Sequence, residues 1–251
     1  LSPACEDPTC KDESCCQFIG DKSKIVLDKS GNKYHGKNID GEIVPAGKYG
    51  QSGVRPKRTG GGRDAYAVEI YDCNRISEKF ANGFTIEMWV YLDFDNSGID
   101  EFWLTTKGSS FTFLLDEGGN GPGYSNLELR VARATPATPR DSVPGPREIF
   151  YFEDQLVPTK QWVHLAVTYN APAGQATFYI NSQVAAADQH HDASGSLVVT
   201  EESNVKLGNF AGVMDEFKLY KGVKTQAEIQ QSMVNAGVLL PDLLVYFDFE
   251  E

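Results

Sequence analysis

Apolar and polar residues alternate with a period of two in three stretches that lie far apart in the chain. They are Phe84-Thr85-Ile86-Glu87-Met88-Trp89-Val90, Trp162-Val163-His164-Leu165-Ala166-Val167-Thr168 and Gly212-Val213-Met214-Asp215-Glu216-Phe217-Lys218-Leu219-Tyr220. Successive side chains of a strand point to opposite faces, so this alternation, rich in β-branched and aromatic types, predicts strands with one buried face. Turn-forming clusters punctuate the chain at Lys29-Ser30-Gly31-Asn32, Ala81-Asn82-Gly83, residues 116–121, Pro172-Ala173-Gly174 and Ala193-Ser194-Gly195. That spacing suits the hairpins of an antiparallel sandwich. Thr177-Phe178-Tyr179-Ile180 reads as the second arm of a hairpin begun by residues 162–169. Residues 134–147 carry Pro136, Pro139, Pro144 and Pro146, which lack the donor a central strand needs, and predict an exposed insertion. Helix is sparse. The best candidate is residues 225–236, with Thr225 as N-cap, Glu228 at the capping-box position, Gly237 as the stop, and Ile229 and Met233 turned toward the sandwich edge.

Composition narrows the class. A chain of 251 residues, 41% hydrophobic and 11% aromatic, is long enough for one large core with appendages. No apolar run reaches the ~20 residues that span a bilayer. A net charge of -12 argues against tracking nucleic-acid phosphates, a task that concentrates Lys and Arg. Basic residues do gather at Arg55, Lys57, Arg58 and Arg63 around Gly60-Gly61-Gly62, and read as a solvated loop.

Four of the five cysteines, Cys5, Cys10, Cys15 and Cys16, fall in the first sixteen residues, and Cys73 stands in the body. The arm has no apolar face to bury, so disulfides would be its source of order, and the spacing lacks the paired ligands of a zinc site. An odd count leaves one thiol over. The connectivity stays open, including a bond from the arm to Cys73 or a link to a neighbouring subunit. The start at Leu1 fits a processed mature terminus or an excised fragment. With the cysteines, it points to a secreted or extracellular protein.

Taken in order, five motifs carry a resemblance: D-x-S-G-N-x-x-H-G at 28–36, F-T-I-E-M-W-V at 84–90, W-V-H-L-A-V-T-Y at 162–169, F-Y-I-N at 178–181, and G-x-M-D-E-F-K-L-Y from Gly212 to Tyr220. From residues 17 to 237 the chain resembles the laminin-G-like jelly rolls of the concanavalin A-like lectin and glucanase superfamily, and more distantly pentraxins. The resemblance implies an all-β, two-sheet antiparallel jelly-roll sandwich with one short C-terminal helix. Residues 1–16 would be a cysteine-rich arm and 238–251 a C-terminal strand. It also implies one structural calcium, on Asp28, Asn32 and Asp215. Two carboxylates would need carbonyls and water to complete the six to eight oxygens calcium prefers. His35 and His164 are expected to be structural, and His190-His191-Asp192 is a weak metal candidate.

The ends depart from the family pattern. Its opening strand, of the type L-V-x-Y-x-x-F-D-E, is matched best by Leu243-Leu244-Val245-Tyr246-Phe247-Asp248-Phe249-Glu250 at the chain's close. That strand either folds back into its own sandwich, begins a further repeat, or completes a neighbouring subunit through Leu243, Val245, Phe247 and Phe249. The leading expectation is a non-catalytic glycan-binding or adhesion domain acting through rim loops, with Trp103 and Tyr124 as ligand-contacting candidates and a glycan or extracellular protein as partner. The alternative is a subunit of an extracellular filament or surface layer, self-associating through the C-terminal strand and the N-terminal cysteines. A polysaccharide-active enzyme is the third. The glucanase E-x-D-x-x-E strand is missing, and neither Asp93-Phe94-Asp95 nor Glu201-Glu202 replaces it.

Overall fold

Alternation of the kind described produces sixteen strands and two helices in the computed structural model, which describes residues 22–57, 66–71, 76–79, 82–93, 101–108, 110–116, 126–132, 147–152, 157–189 and 203–250. In chain order the strands are β1 (Ile25–Val26), β2 (Gly36–Asn38), β3 (Gly41–Val44), β4 (Gly53–Pro56), β5 (Val68–Ile70), β6 (Gly83–Leu92), β7 (Glu101–Lys107) and β8 (Phe111–Asp116). They continue with β9 (Asn126–Ala132), β10 (Arg147–Phe152), β11 (Trp162–Asn170), β12 (Gln175–Ile180), β13 (Gln183–Gln189), β14 (Val205–Asn209), β15 (Gly212–Lys221) and β16 (Leu243–Phe247). The one-turn helix α1 is Ile76–Lys79, and α2 is Gln226–Val234. All five cysteines, Tyr124, Arg58, Arg63, Asp95, Glu201, Glu202 and His190-His191-Asp192 lie outside the described residues.

The strands form two antiparallel sheets, a jelly-roll sandwich. One runs β1-β2-β5-β14-β7-β8-β9-β10 and the other β13-β12-β11-β6-β15-β4-β3. The hairpin read at residues 162–180 is there: β11 pairs β12, with Thr168 opposite Thr177 and Val167 opposite Phe178. β15 gives one edge to β6 and shares the other between β4, at Met214 and Val54, and β16, from Phe217 opposite Phe247 to Tyr220 opposite Leu243. The final strand is thus paired within its own chain.

Period two decides the core. Phe84, Ile86, Met88, Val90 and Leu92 of β6, with Val163, Leu165, Val167 and Tyr169 of β11, point between the sheets. There they meet Phe111, Phe113 and Leu115 of β8 and Leu127, Leu129 and Val131 of β9. In β15 the alternation is interrupted. Between Asp215, opposite Trp89, and Lys218, opposite Glu87, the strand holds one residue more than β6, and Glu216 takes φ 53°. This bulge resets the phase, so Met214, Phe217 and Leu219 face the core while Asp215, Lys218 and Tyr220 face outward.

Helix α2 has the expected start. The Thr225 hydroxyl accepts from the Glu228 N–H, and the Glu228 carboxylate accepts from the Thr225 N–H at 2.7 Å. Its position corrects the sequence expectation in two respects. It lies on the outer face of the second sheet rather than at an edge, and its buried residues are Ile229 and Ser232, not Ile229 and Met233. The reason is polar: the sheet beneath carries groups that need Ser232, as the site geometry shows. Ile229 packs on Ala166 and Tyr179.

Candidate functional site

On the outer face of β6, β11 and β15, strand register sets side chains in rows, three of them those of Glu87, Trp89 and Tyr91. In the first, Glu87 and Lys218 are opposite one another under α2. Glu87 Oε1 accepts from the Ser232 hydroxyl and, at 2.9 Å, from Tyr220 OH. Lys218 Nζ donates to Ser232 Oγ at 2.9 Å and lies 3.9 Å from Glu87 Oε1 and 3.8 Å from Glu216 Oε2. Glu216 in turn accepts from Tyr246 OH of β16 at 2.9 Å. Glu87 and Lys218 are 1% and 2% exposed, so the helix closes this network to solvent. Burial pushes the Glu87 and Glu216 carboxyls up, opposed by the nearby Lys218 charge.

In the second row Trp89 faces His164 edge-on, with ring centres 5.3 Å apart, and Asp215 lies on the other side. Tyr49, from the turn after β3, meets Trp89 edge-on at 5.9 Å, and Lys48 Nζ sits 4.3 Å above the indole. Asp215 anchors that turn: Oδ2 accepts from the Lys48 and Tyr49 N–H groups at 2.7 and 3.1 Å, and Oδ1 from the Glu216 N–H. Burial pushes its carboxyl up to about 7, against these backbone bonds. His164 is fully enclosed, its Nε2 3.6 Å from Glu87 Oε2, and burial with the Lys218 charge lowers it to about 3.

The third row is partly exposed. Tyr91 of β6 is paired with Trp162 of β11, both half-buried, with ring centres 6.0 Å apart and planes at 68°. β12 reaches β11 only from Leu165 onward, so Trp162 projects beyond the β12–β13 hairpin. Two residues further out on each side, the exposed pair Asp93 and Lys160 closes at 2.5 Å from Oδ1 to Nζ. The Lys160 N–H binds the Leu92 carbonyl and the Asp93 N–H the Ala211 carbonyl, which fixes both against the strand ends.

Of the residues mapped to calcium, Asp28 and Asn32 share one turn against β16, while Asp215 is held by the Lys48–Tyr49 turn. Asp28 Oδ1 accepts from the Ser30 and Tyr246 N–H groups, and Oδ2 from the Tyr34 N–H and the Ser30 hydroxyl, at 2.7–2.9 Å. The Asn32 amide donates to the Leu243 and Leu244 carbonyls. Asp215 is taken up by the Lys48–Tyr49 turn. Both Asp28 oxygens are already saturated by donors, the Asn32 nitrogen is what points at the chain, and no group of three or more acidic, His or Cys residues among the described residues is placed to hold an ion. These three side chains do not fit a calcium shell. The D-x-S-G-N-x-x-H-G turn instead clamps the last strand, with His35 Nδ1 accepting from the Asp28 N–H. At Gly36 an added Cβ would come within 2.6 Å of Val68 and 3.1 Å of the Phe247 ring.

Val245, Phe247 and Phe249 are buried in the main core, and Leu243 packs with Tyr220, Leu240 and Tyr246 on the outer side. Trp103 lies on the other sheet, half-buried beside Tyr66 at 6.4 Å. Sequence reading placed Trp162 in a strand without seeing its overhang. The signal was present in the length difference between the two hairpin arms.

The family follows from this architecture. A model of the concanavalin A-like lectin/glucanases superfamily, of laminin-G type, matches residues 67–230, and the chain belongs to that superfamily. Three similar solved structures are a candidate carbohydrate-binding protein from Bacteroides ovatus ATCC 8483 and two toxin binding domains. The first is 17% identical, with 72% of this chain and 48% of that chain covered and a TM-score of 0.52. The binding domain of Paraclostridial Mosquitocidal Protein 1 is 16% identical over 83% and 50%, with a TM-score of 0.58. That of botulinum neurotoxin DC, solved with SialylT, is 11% identical over 84% and 51%, with a TM-score of 0.61. The chain spans about half the length of these structures, and the likeness establishes the fold. No curated protein matches the chain. No helix among the described residues is long and apolar enough to cross a membrane.

Proposed function

We propose that the chain is a non-catalytic carbohydrate-recognition module acting outside the cell. The observation that carries this reading is the enclosure of the carboxylates on the outer face of β6 and β15: Glu87, Asp215 and Glu216 are each 5% exposed or less. Retaining glycoside hydrolysis needs two carboxylates about 5–5.5 Å apart flanking the scissile bond. Glu87, Glu216 and Asp215 lie under α2 and the Lys48–Tyr49 turn, where a polysaccharide does not reach them. The superfamily and the Bacteroides ovatus neighbour are consistent with glycan recognition. Assembly by strand donation is disfavoured by the many bonds that hold β16 in its own chain.

The test pairs a glycan array with an assay for reducing-end release, using the full chain. Binding to a subset of glycans without release is expected. Release of reducing ends overturns the non-catalytic reading, and no binding to any glycan overturns recognition.

A further inference from the structure

We infer that the turn at residues 28–33 is a built-in cap on the outer edge of β16, and that the edge beneath it is a latent interface for a second copy of this chain. The inference goes beyond the recognition reading and does not depend on it. β16 reads Leu243-Leu244-Val245-Tyr246-Phe247, five buried residues with no charge, proline or glycine. A segment of that composition at a sheet edge pairs readily with itself when its outward N–H and C=O groups are in reach. One side of β16 is committed to β15. The edge strands β3 and β13 of the same sheet differ in kind: β3 is four residues long and carries Glu42, and β13 reads Gln-Val-Ala-Ala-Ala-Asp-Gln.

The other side of β16 meets the turn where a neighbouring strand would lie. The Asp28 carboxylate stands in for a carbonyl and accepts from the Tyr246 N–H at 2.9 Å. The Lys29 N–H donates to the Tyr246 carbonyl at 2.8 Å, as a strand would. The Ser30 hydroxyl and the Asn32 amide stand in for further N–H groups. They donate to the Leu244 carbonyl at 2.9 and 3.1 Å, and Asn32 also to the Leu243 carbonyl at 2.8 Å. Three acceptors and one donor of the β16 backbone are thus taken by a segment that cannot itself be extended as a sheet. Gly31 at φ 91° and Lys33 at φ 63° turn it out of the extended conformation, and the exposed Lys29 and Lys33 place charge along the edge, a means by which sheets resist pairing.

The experiment measures the molar mass of the full chain and its variants by light scattering between about 10 µM and about 1 mM, with hydrogen exchange of the β16 amides over the same range. The triple variant Asp28→Ala, Ser30→Ala, Asn32→Ala uncaps the edge. Asn38→Ala, which loses a side-chain bond to the Gly41 N–H in the β2–β3 turn, is the control. The parent and the control should hold one mass at every concentration. The uncapped variant should rise toward about twice that mass, as two like edges pair about a twofold axis, and its β16 amides should exchange more slowly as concentration rises. Thermal melts check folding. If the triple variant does not fold, Ser30→Ala with Asn32→Ala, which keeps Asp28 and frees the Leu243 and Leu244 carbonyls, carries the test. A folded, uncapped variant that keeps the parent's mass overturns the inference. So does a gain in mass without added protection of β16, which would place the contact elsewhere, and so does a parent chain that already pairs through this edge.

Discussion

Removing β16 should abolish folding rather than merely free an edge. Leu244, Val245, Phe247 and Phe249 sit in the main core, each at or below 7% exposure. At about 1.5–3 kcal/mol per buried apolar side chain, these four contribute roughly 6–12 kcal/mol. Whole domains are stable by only about 5–15 kcal/mol. A chain ending at Gly237 also leaves Asp28, Ser30, Asn32 and Glu216 without the partners they hold in β16. A graded version is Phe247→Ala, which should cost about 3–5 kcal/mol, the usual range for an aromatic deleted from a core. Tryptophan fluorescence in a denaturant titration reads both, since Trp89, Trp103 and Trp162 sample both sheets. The full chain should unfold cooperatively, Phe247→Ala at a lower midpoint, and the truncated chain without a transition. A peptide of residues 238–251 supplied in trans should restore the transition. Cooperative unfolding of the truncated chain at the parent midpoint would refute this reasoning, because it would mean that the sandwich is complete without its last strand.

Three other predictions rest on the same geometry. Any shift of the melting temperature on adding calcium should be the same in the parent and in Asp215→Asn, because the Asp215 oxygens are occupied by N–H donors; a calcium-dependent shift lost in that variant would contradict that account. Gly36→Ala should destabilise by about 1–3 kcal/mol through overpacking against Val68 and Phe247, measured by chemical denaturation. His164 is depressed from 6.5 to about 3, so the stability it confers is whole above pH 6.5 and is lost as pH falls toward 3, by up to about 5 kcal/mol. Replacing it with Gln should therefore cost stability at pH 7.5 and progressively less on acidification, as followed by thermal melts; a deficit independent of pH would count against a buried neutral imidazole.

The strands were legible because a sheet writes its faces into the sequence with period two. β6, β11 and β15, the β11–β12 hairpin and the Thr225–Glu228 capping box all follow from local chemistry. What stayed hidden depends on partners far away in sequence. Asp28, Ser30 and Asn32 have the residue types of a cation loop, yet their polar atoms meet the backbone of residues 243–246. Residue type alone does not distinguish an oxygen awaiting an ion from one awaiting an N–H. Likewise Ser232 is an unremarked polar position in a helix until Glu87 and Lys218 lie beneath it. Trp162 and Trp89 both alternate outward, and the turn carrying Lys48 and Tyr49 buries Trp89 while Trp162 stays half-buried.

The bond between Asp28 and Tyr246 joins residues 218 positions apart, and it bears on synthesis as well as on stability. A chain emerging from the ribosome makes the turn at 28–36 and the other fifteen strands before the strand that lines the free edge of β15. Until residues 243–249 emerge, Phe217 and Leu219 have no neighbour on that side, and the turn at 28–36 has nothing to grip. Completion of the fold must wait for residues 243–249, and contacts of such long range form slowly. During that interval the nascent sheets present apolar surface and an unpaired edge, the features that draw chaperones or lead to aggregation.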